Sequence, residues 1–205
     1  MLGDKLIKES LNNMNREQWL EQATILLDSE VFNTVGYQIP NDVKVSCGWP
    51  VSGGASSRQA TIGQCFSRAV SSNNVNEIFI SPKLDDAIEV LSVLAHEHIH
   101  AIDDCASGHK GLFRTIAKKI GLEGKMTATT ASDALKSKLE AIVNKIGVYP
   151  HAKLDYTKQI KKQSTRMIKV ECNACEFSYR TSRKNIELMS NNTCNSCGES
   201  TLEIV

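Results

Sequence analysis

The stretch VLAHEHIHAIDD, Val93 to Asp104, decides how this chain is read. It sets three imidazoles, His96, His98 and His100, within five residues. On an α-helix, residues four apart differ by about 40° around the axis and residues two apart by about 200°. His96 and His100 therefore face one point, and His98 faces away. Glu97 lies between the two facing histidines and completes an HExxH pattern, in which the imidazoles bind zinc and the glutamate serves as general base. His98 falls on the apolar stripe of the same helix and is expected to pack rather than ligate.

The surrounding residues support a helix here. From Asp85 onward, Ala87, Ile88, Leu91, Leu94, Ala95 and His98 trace one stripe at helical spacing. Two aspartates at its start suit the positive end of the helix dipole. The helix is expected to end near Asp104, before the glycines at 108 and 111. A catalytic zinc takes three protein ligands and leaves one position open. His109, flanked by those glycines, is the leading third ligand, because they let the chain turn back toward the metal. Glu123, Glu140 and, more weakly, Asp104 are the alternatives. Metzincin spacing is absent, since Asp103 and Ala106 stand where glycine and histidine would be needed.

Upstream, Asn15 and Gln18 form a capping-box pair for a helix through REQWLEQATILLDSEVF. DVKVSCGWP reads as a strand ended by Gly48, Trp49 and Pro50, and VSGGASSRQA as a loop. TIGQCFSRAV, SSNN and VNEIFISP read as strand, turn and strand. Downstream, LFRTIAKKIGL and SDALKSKLEAIVNKIG are two further helices, the second stopped by Pro150. Residues 151–165 are polar and basic, a linker by composition.

Cys172, Cys175, Cys194 and Cys197 form two CxxC pairs with eighteen residues between them, the spacing of paired zinc knuckles. Four thiolates make a closed tetrahedral site, so this zinc is expected to be structural. A module of about forty residues buries too little surface to fold without it. Cys47, Cys65 and Cys105 lack such spacing and read as ordinary buried or half-buried thiols. Seven cysteines with this pattern fit a reducing compartment better than a disulfide framework.

The chain has 205 residues, 41% hydrophobic, with a net charge of +1, so overall charge names no partner. No run of eighteen apolar residues predicts a membrane span, and the N-terminal MLGDKLIKESLNN lacks an apolar signal region. A cytoplasmic location is the expectation. Charge is uneven: Lys158 to Lys184 carries eight basic residues against Glu171 and Glu176, with Phe177 and Tyr179 interleaved. Such a surface suits phosphate backbone and stacked bases, making nucleic acid an expected partner.

LAHEHIHAIDDCASGHKGLFRTIAKKIGL resembles the core of SprT-like zinc metallopeptidases, in which HExxH is followed by a loop and a GH(K)G-x-F motif. SCGWP and NEIFISP resemble phage- and bacterium-encoded members, and for a phage-encoded protein the compartment is the host cytoplasm. The resemblance covers residues 40 to 130. It implies that His109, the loop histidine, is the third ligand. Lys110 departs from the pattern, where a glycine commonly follows that histidine. A zinc ribbon after the core also resembles this family's architecture, and its best-understood relatives act on DNA-bound proteins.

The resulting expectation is an α+β protein in three parts. Residues 1–150 form a zincin-like core with a small antiparallel sheet and helices, 151–165 a basic linker, and 166–205 a small β zinc ribbon. One catalytic and one structural zinc are implied. Zinc held by three neutral imidazoles would bring the pKa of its water toward about 7, with Glu97 taking the proton and passing it to the leaving amine. The substrate is expected to be a protein, extended along an edge strand at Asn76 to Ser81. Tyr37 and Tyr149 read as structural, and no oxyanion donor is identified. The competing reading is a non-catalytic, zinc-stabilised nucleic-acid-binding or transcription-associated adaptor; metal-dependent hydrolysis of a non-peptide substrate is a third.

Overall fold

The computed structural model describes residues 14–51, 61–155, 158, 167–188, 191–199 and 201–205. The N-terminal segment, most of the VSGGASSRQA loop and most of the basic linker lie outside these residues, Lys161, Lys162 and Arg166 among them. The chain divides into two units, Met1–Thr157 and Lys158–Val205.

In the first unit, α1 (Arg16–Leu27) begins at a complete capping box. The Asn15 side chain accepts from the Gln18 N–H, and Gln18 accepts from the Asn15 N–H, both at 2.9 Å. The helix continues as a π-turn, Asp28–Phe32, and a 3-10 turn, Asn33–Val35. Trp19, Leu20, Ala23 and Leu27 from α1 are buried in the core, and the Trp19 indole donates to the Gly147 carbonyl at 3.0 Å.

Three short strands follow: β1 (Lys44–Cys47), β2 (Gly63–Phe66) and β3 (Glu77–Ile80). The expected sheet is present, but it is mixed rather than antiparallel. β1 runs parallel to β3, with Val45 opposite Ile78, while β2 runs antiparallel to it, with Cys65 opposite Ile78. The order β1-β3-β2 puts β3 in the centre. Residues 76–81 therefore cannot offer a free edge to a substrate, because both sides of β3 are already paired. The edge strand on this side is β2.

Helix α2 (Ala87–Ile102) carries the histidines and starts at Asp86, whose side chain accepts from the Glu89 N–H at 2.8 Å. Helix α3 (Gly111–Ile120) follows, then a hairpin of β4 (Leu122–Lys125) and β5 (Ala128–Ala131), then α4 (Asp133–Ile146). The hairpin is not anticipated by the sequence reading. Residues 151–155 belong to this unit: the Leu154 N–H reaches the Pro82 carbonyl at 2.8 Å.

The second unit is a three-stranded antiparallel sheet, order β7-β6-β8, from β6 (Ile168–Cys172), β7 (Ser178–Thr181) and β8 (Leu202–Ile204). A short helix, α5 (Arg183–Glu187), follows β7. Val170, Cys172, Cys194 and Leu202 make up its buried core. Among the described residues, no helix is long and apolar enough to cross a membrane.

Candidate metal centres

The three histidines converge. His96 and His100 come from one face of α2, and His109 from the loop between α2 and α3. His109 Nε2 lies 3.2 Å from His96 Nε2 and 3.3 Å from His100 Nε2. Four ligands at about 2.05 Å around zinc would stand about 3.3 Å apart, so these nitrogens are spaced as corners of one tetrahedron. Burial and the neighbouring imidazoles lower His96 to about 3 and His100 to about 4, and burial lowers His109 as well, so the rings are neutral. Neutral imidazoles keep the lone pairs that a cation needs, so the donor set fits a divalent transition metal.

Phe113 explains why an aromatic follows this loop. It is fully buried, and its ring centroid lies 4.8, 4.5 and 5.0 Å from those of His96, His100 and His109. The three imidazoles pack around one ring, which limits their tilt. The loop itself is held by Asp104. Its Oδ1 accepts from the Arg68 N–H at 2.7 Å and from the side chain of buried Asn76 at 2.8 Å. Asp104 and Cys105 both take left-handed backbone, φ 52° and 63°.

The alternative third ligands stand elsewhere. Asp104 is spent on Arg68 and Asn76, while Glu123 on β4 and Glu140 on α4 are exposed and outside the histidine group. His98 is fully buried, with its Nε2 3.0 Å from the Thr24 hydroxyl. That hydroxyl donates to the Leu20 carbonyl at 2.9 Å, so His98 donates to it through Nε2–H. Tyr149 packs on Trp19 with centroids 5.0 Å apart, Tyr37 lies under the Lys119 ammonium, and neither lines the cleft described next.

A cleft of about 830 Å³ opens over the histidines, between β2 on one side and the β4–β5 hairpin on the other. Glu97 lies in its wall, only 6% exposed, and burial raises its pKa to about 8. Gly63 on β2 makes room for that carboxyl, since a Cβ there would stand 2.6 Å from Glu97 Oε1. The Ser81 N–H bonds to the Ile62 carbonyl, and alternation along an antiparallel ladder then turns the backbone groups of Gly63 and Cys65 outward, away from β3. Cys65 and Cys105 also line the cleft, the Cys105 thiol 3.7 Å from the Cys65 carbonyl.

One contact lies beyond anything the sequence reading signals. Thr129 on β5 places its hydroxyl 2.8 Å from His96 Nδ1.

In the second unit the four cysteines close on one another. Cys172 Sγ stands 3.7 Å from Cys197 Sγ, and Cys175 Sγ 3.6 Å from Cys194 Sγ. Zinc–sulfur bonds of about 2.3 Å give tetrahedral edges of about 3.8 Å. The two knuckles match in backbone: the residue after each second cysteine, Glu176 and Gly198, has positive φ, 58° and 79°. The Thr201 hydroxyl, 2.9 Å from Cys172 Sγ, lowers that thiol to about 6. Both clusters are sets of side chains that could hold a metal ion.

No protein-family model matches the chain, no curated protein matches it, and no solved structure matches it.

Proposed function

We propose that the first unit is a zinc-dependent metallopeptidase with Glu97 as general base, and that the second is a zinc ribbon that contacts nucleic acid. The single observation that carries the first part is the convergence of three neutral imidazole Nε2 atoms within tetrahedral spacing, beside a buried carboxyl in an open cleft. A purely structural metal site has no use for that carboxyl or that cleft. The likeness of GHKGLF to SprT-like peptidases belongs to the same reading.

When bound, zinc supplies a Lewis acid for the substrate carbonyl and acidifies water. His96, His100 and His109 would hold it through Nε2. Glu97 takes a proton on its carboxylate from the attacking water and returns it to the leaving amine. Burial alone favours the protonated acid, and a divalent ion held by the neutral histidines would favour the anion that a base requires. The Cys65 carbonyl already faces the Cys105 thiol and its N–H faces Glu97, so the outward backbone of Gly63 is what β2 offers an extended peptide, in the substrate role first expected of residues 76–81.

The ribbon's part rests on a hollow of about 370 Å³ lined by Phe177, Tyr179, Asn191 and Asn195, with Arg180, Arg183 and Lys184 exposed on the same small unit. Aromatic faces beside cations stack and neutralise single strands.

The test compares zinc-loaded protein with its Glu97→Gln variant on DNA-bound and free proteins. Cleavage by the wild type alone supports the peptidase. If neither protein cleaves while both retain zinc, the non-catalytic adaptor is the better reading. Reversing the charge of Arg180 and Arg183 to glutamate should weaken DNA binding and flatten its salt dependence; unchanged affinity would remove the ribbon as the contact.

A further inference from the structure

We infer that Thr129 is a positioning residue for the histidine centre: by accepting a hydrogen bond from His96 Nδ1–H it fixes the tautomer that leaves His96 Nε2 free to bind the metal. The inference rests on reading the three histidines as a metal site, and it does not depend on what reaction that site performs.

The argument begins with the strand. β5 alternates, with Ala128 and Thr130 exposed, Thr129 half-buried and Ala131 buried. Thr129 and Ala131 therefore face inward. Register with β4 sets Thr129 opposite Gly124, so the hairpin's own pairing fixes where its hydroxyl lies. That hydroxyl is 2.8 Å from His96 Nδ1.

A neutral imidazole carries one N–H and one lone pair. If the Thr129 hydroxyl donated, His96 would hold its proton on Nε2 and aim an N–H at the point where His100 and His109 also aim their Nε2 atoms. The reverse arrangement, Nδ1–H donating to Oγ1, turns the Nε2 lone pair to that point. Only this one is compatible with ligation. Outer partners of this kind orient the ring and raise its basicity, and their loss typically weakens metal binding by about 10–100-fold.

Among the described residues, neither His100 nor His109 has a hydrogen-bond partner on its Nδ1. These two rings are positioned by Phe113 and by their backbones. The burden of fixing a tautomer by a side chain thus falls on His96, and on a residue 33 positions away in sequence.

Thr129→Val keeps the shape and removes the hydroxyl; Thr129→Ser restores an acceptor. Cobalt(II) titration of the full chain separates the two sites, because only the ribbon gives thiolate-to-metal charge transfer. At the histidine site, Thr129→Val should bind about 10–100-fold more weakly than wild type, and Thr129→Ser should recover most of that loss. The ribbon's cobalt spectrum should not change. Equal affinity of wild type and Thr129→Val, with unchanged melting temperatures, would overturn the assignment. Loss without rescue by serine would equally count against it, marking a packing role. If the wild type takes up cobalt at the ribbon alone, the metal reading itself fails, and the distinction is visible in the same titration.

Discussion

Gly63 stands so close to Glu97 that any side chain at this position forces its neighbours to shift. A Cβ on Gly63 would stand 2.6 Å from Glu97 Oε1 and 2.6 Å from Val93 Cγ1. Gly63→Ala is therefore expected to push the Glu97 carboxyl out of place while leaving the histidines untouched. A displacement near 1 Å costs about 100-fold in rate. kcat/KM should fall by about that factor at unchanged zinc content. A variant with full activity would show that the carboxyl position is not limiting.

Phe113 links folding to metal binding. Truncation to alanine removes the ring on which all three imidazoles rest, and should destabilise the first unit by about 3–5 kcal/mol. Phe113→Leu should cost less. Denaturant unfolding of metal-free protein measures the packing loss, and zinc affinity measures the coupling. Unfolding midpoints that do not move would contradict the role assigned to this ring.

The loop that carries His109 is predicted to be acid-sensitive. The Arg68 N–H and the Asn76 side chain hold the Asp104 carboxyl below its ordinary value of 3.8. A carboxylate lowered in the folded state stabilises it above the unfolded value and loses that contribution as pH falls through the folded value. Asp104→Asn should flatten the dependence of stability on pH below about 4. Asn76 is fully buried and bonds to Asp104, the Phe66 carbonyl and Arg68, so Asn76→Ala should cost about 1–3 kcal/mol. Thermal melts across pH check both.

The ribbon should depend on its metal outright. Its core has four buried side chains, two of them cysteines. Chelation, or Cys194→Ser, is expected to collapse the amide dispersion of residues 167–205 in NMR spectra and leave that of the first unit's α1 intact. Retained dispersion after full zinc removal would show that the ribbon folds on apolar contacts.

Much of the site is legible in the chain because it is local. The spacing of His96 and His100, the capping residues Asn15, Gln18 and Asp86, and the CxxC knuckles each act within one or two turns of backbone. The glycines beside His109 mark a turn, and Gly108 and Gly111 do take positive φ, 53° and 45°. What escapes the sequence is set by distant pairing. Nothing in NEIFIS reveals that β1 arrives on its far side and makes it central, nor that the edge passes to β2. The hairpin LEGKMTATTA has weak alternation, and its identity comes from packing beside α2 and α4. Thr129 and Gly63 matter only through partners 33 and 34 residues away, so no local pattern marks them.

The central claim is hydrolysis of peptide bonds at the histidine centre with Glu97 as base. It is tested most directly by incubating zinc-loaded wild type and Glu97→Gln with an unfolded protein in water enriched in oxygen-18, then sequencing new termini by mass spectrometry. The account predicts new carboxyl termini carrying one heavy oxygen with the wild type and none above background with Glu97→Gln. No new termini from zinc-loaded wild type, or the same labelled termini from both proteins, would contradict it.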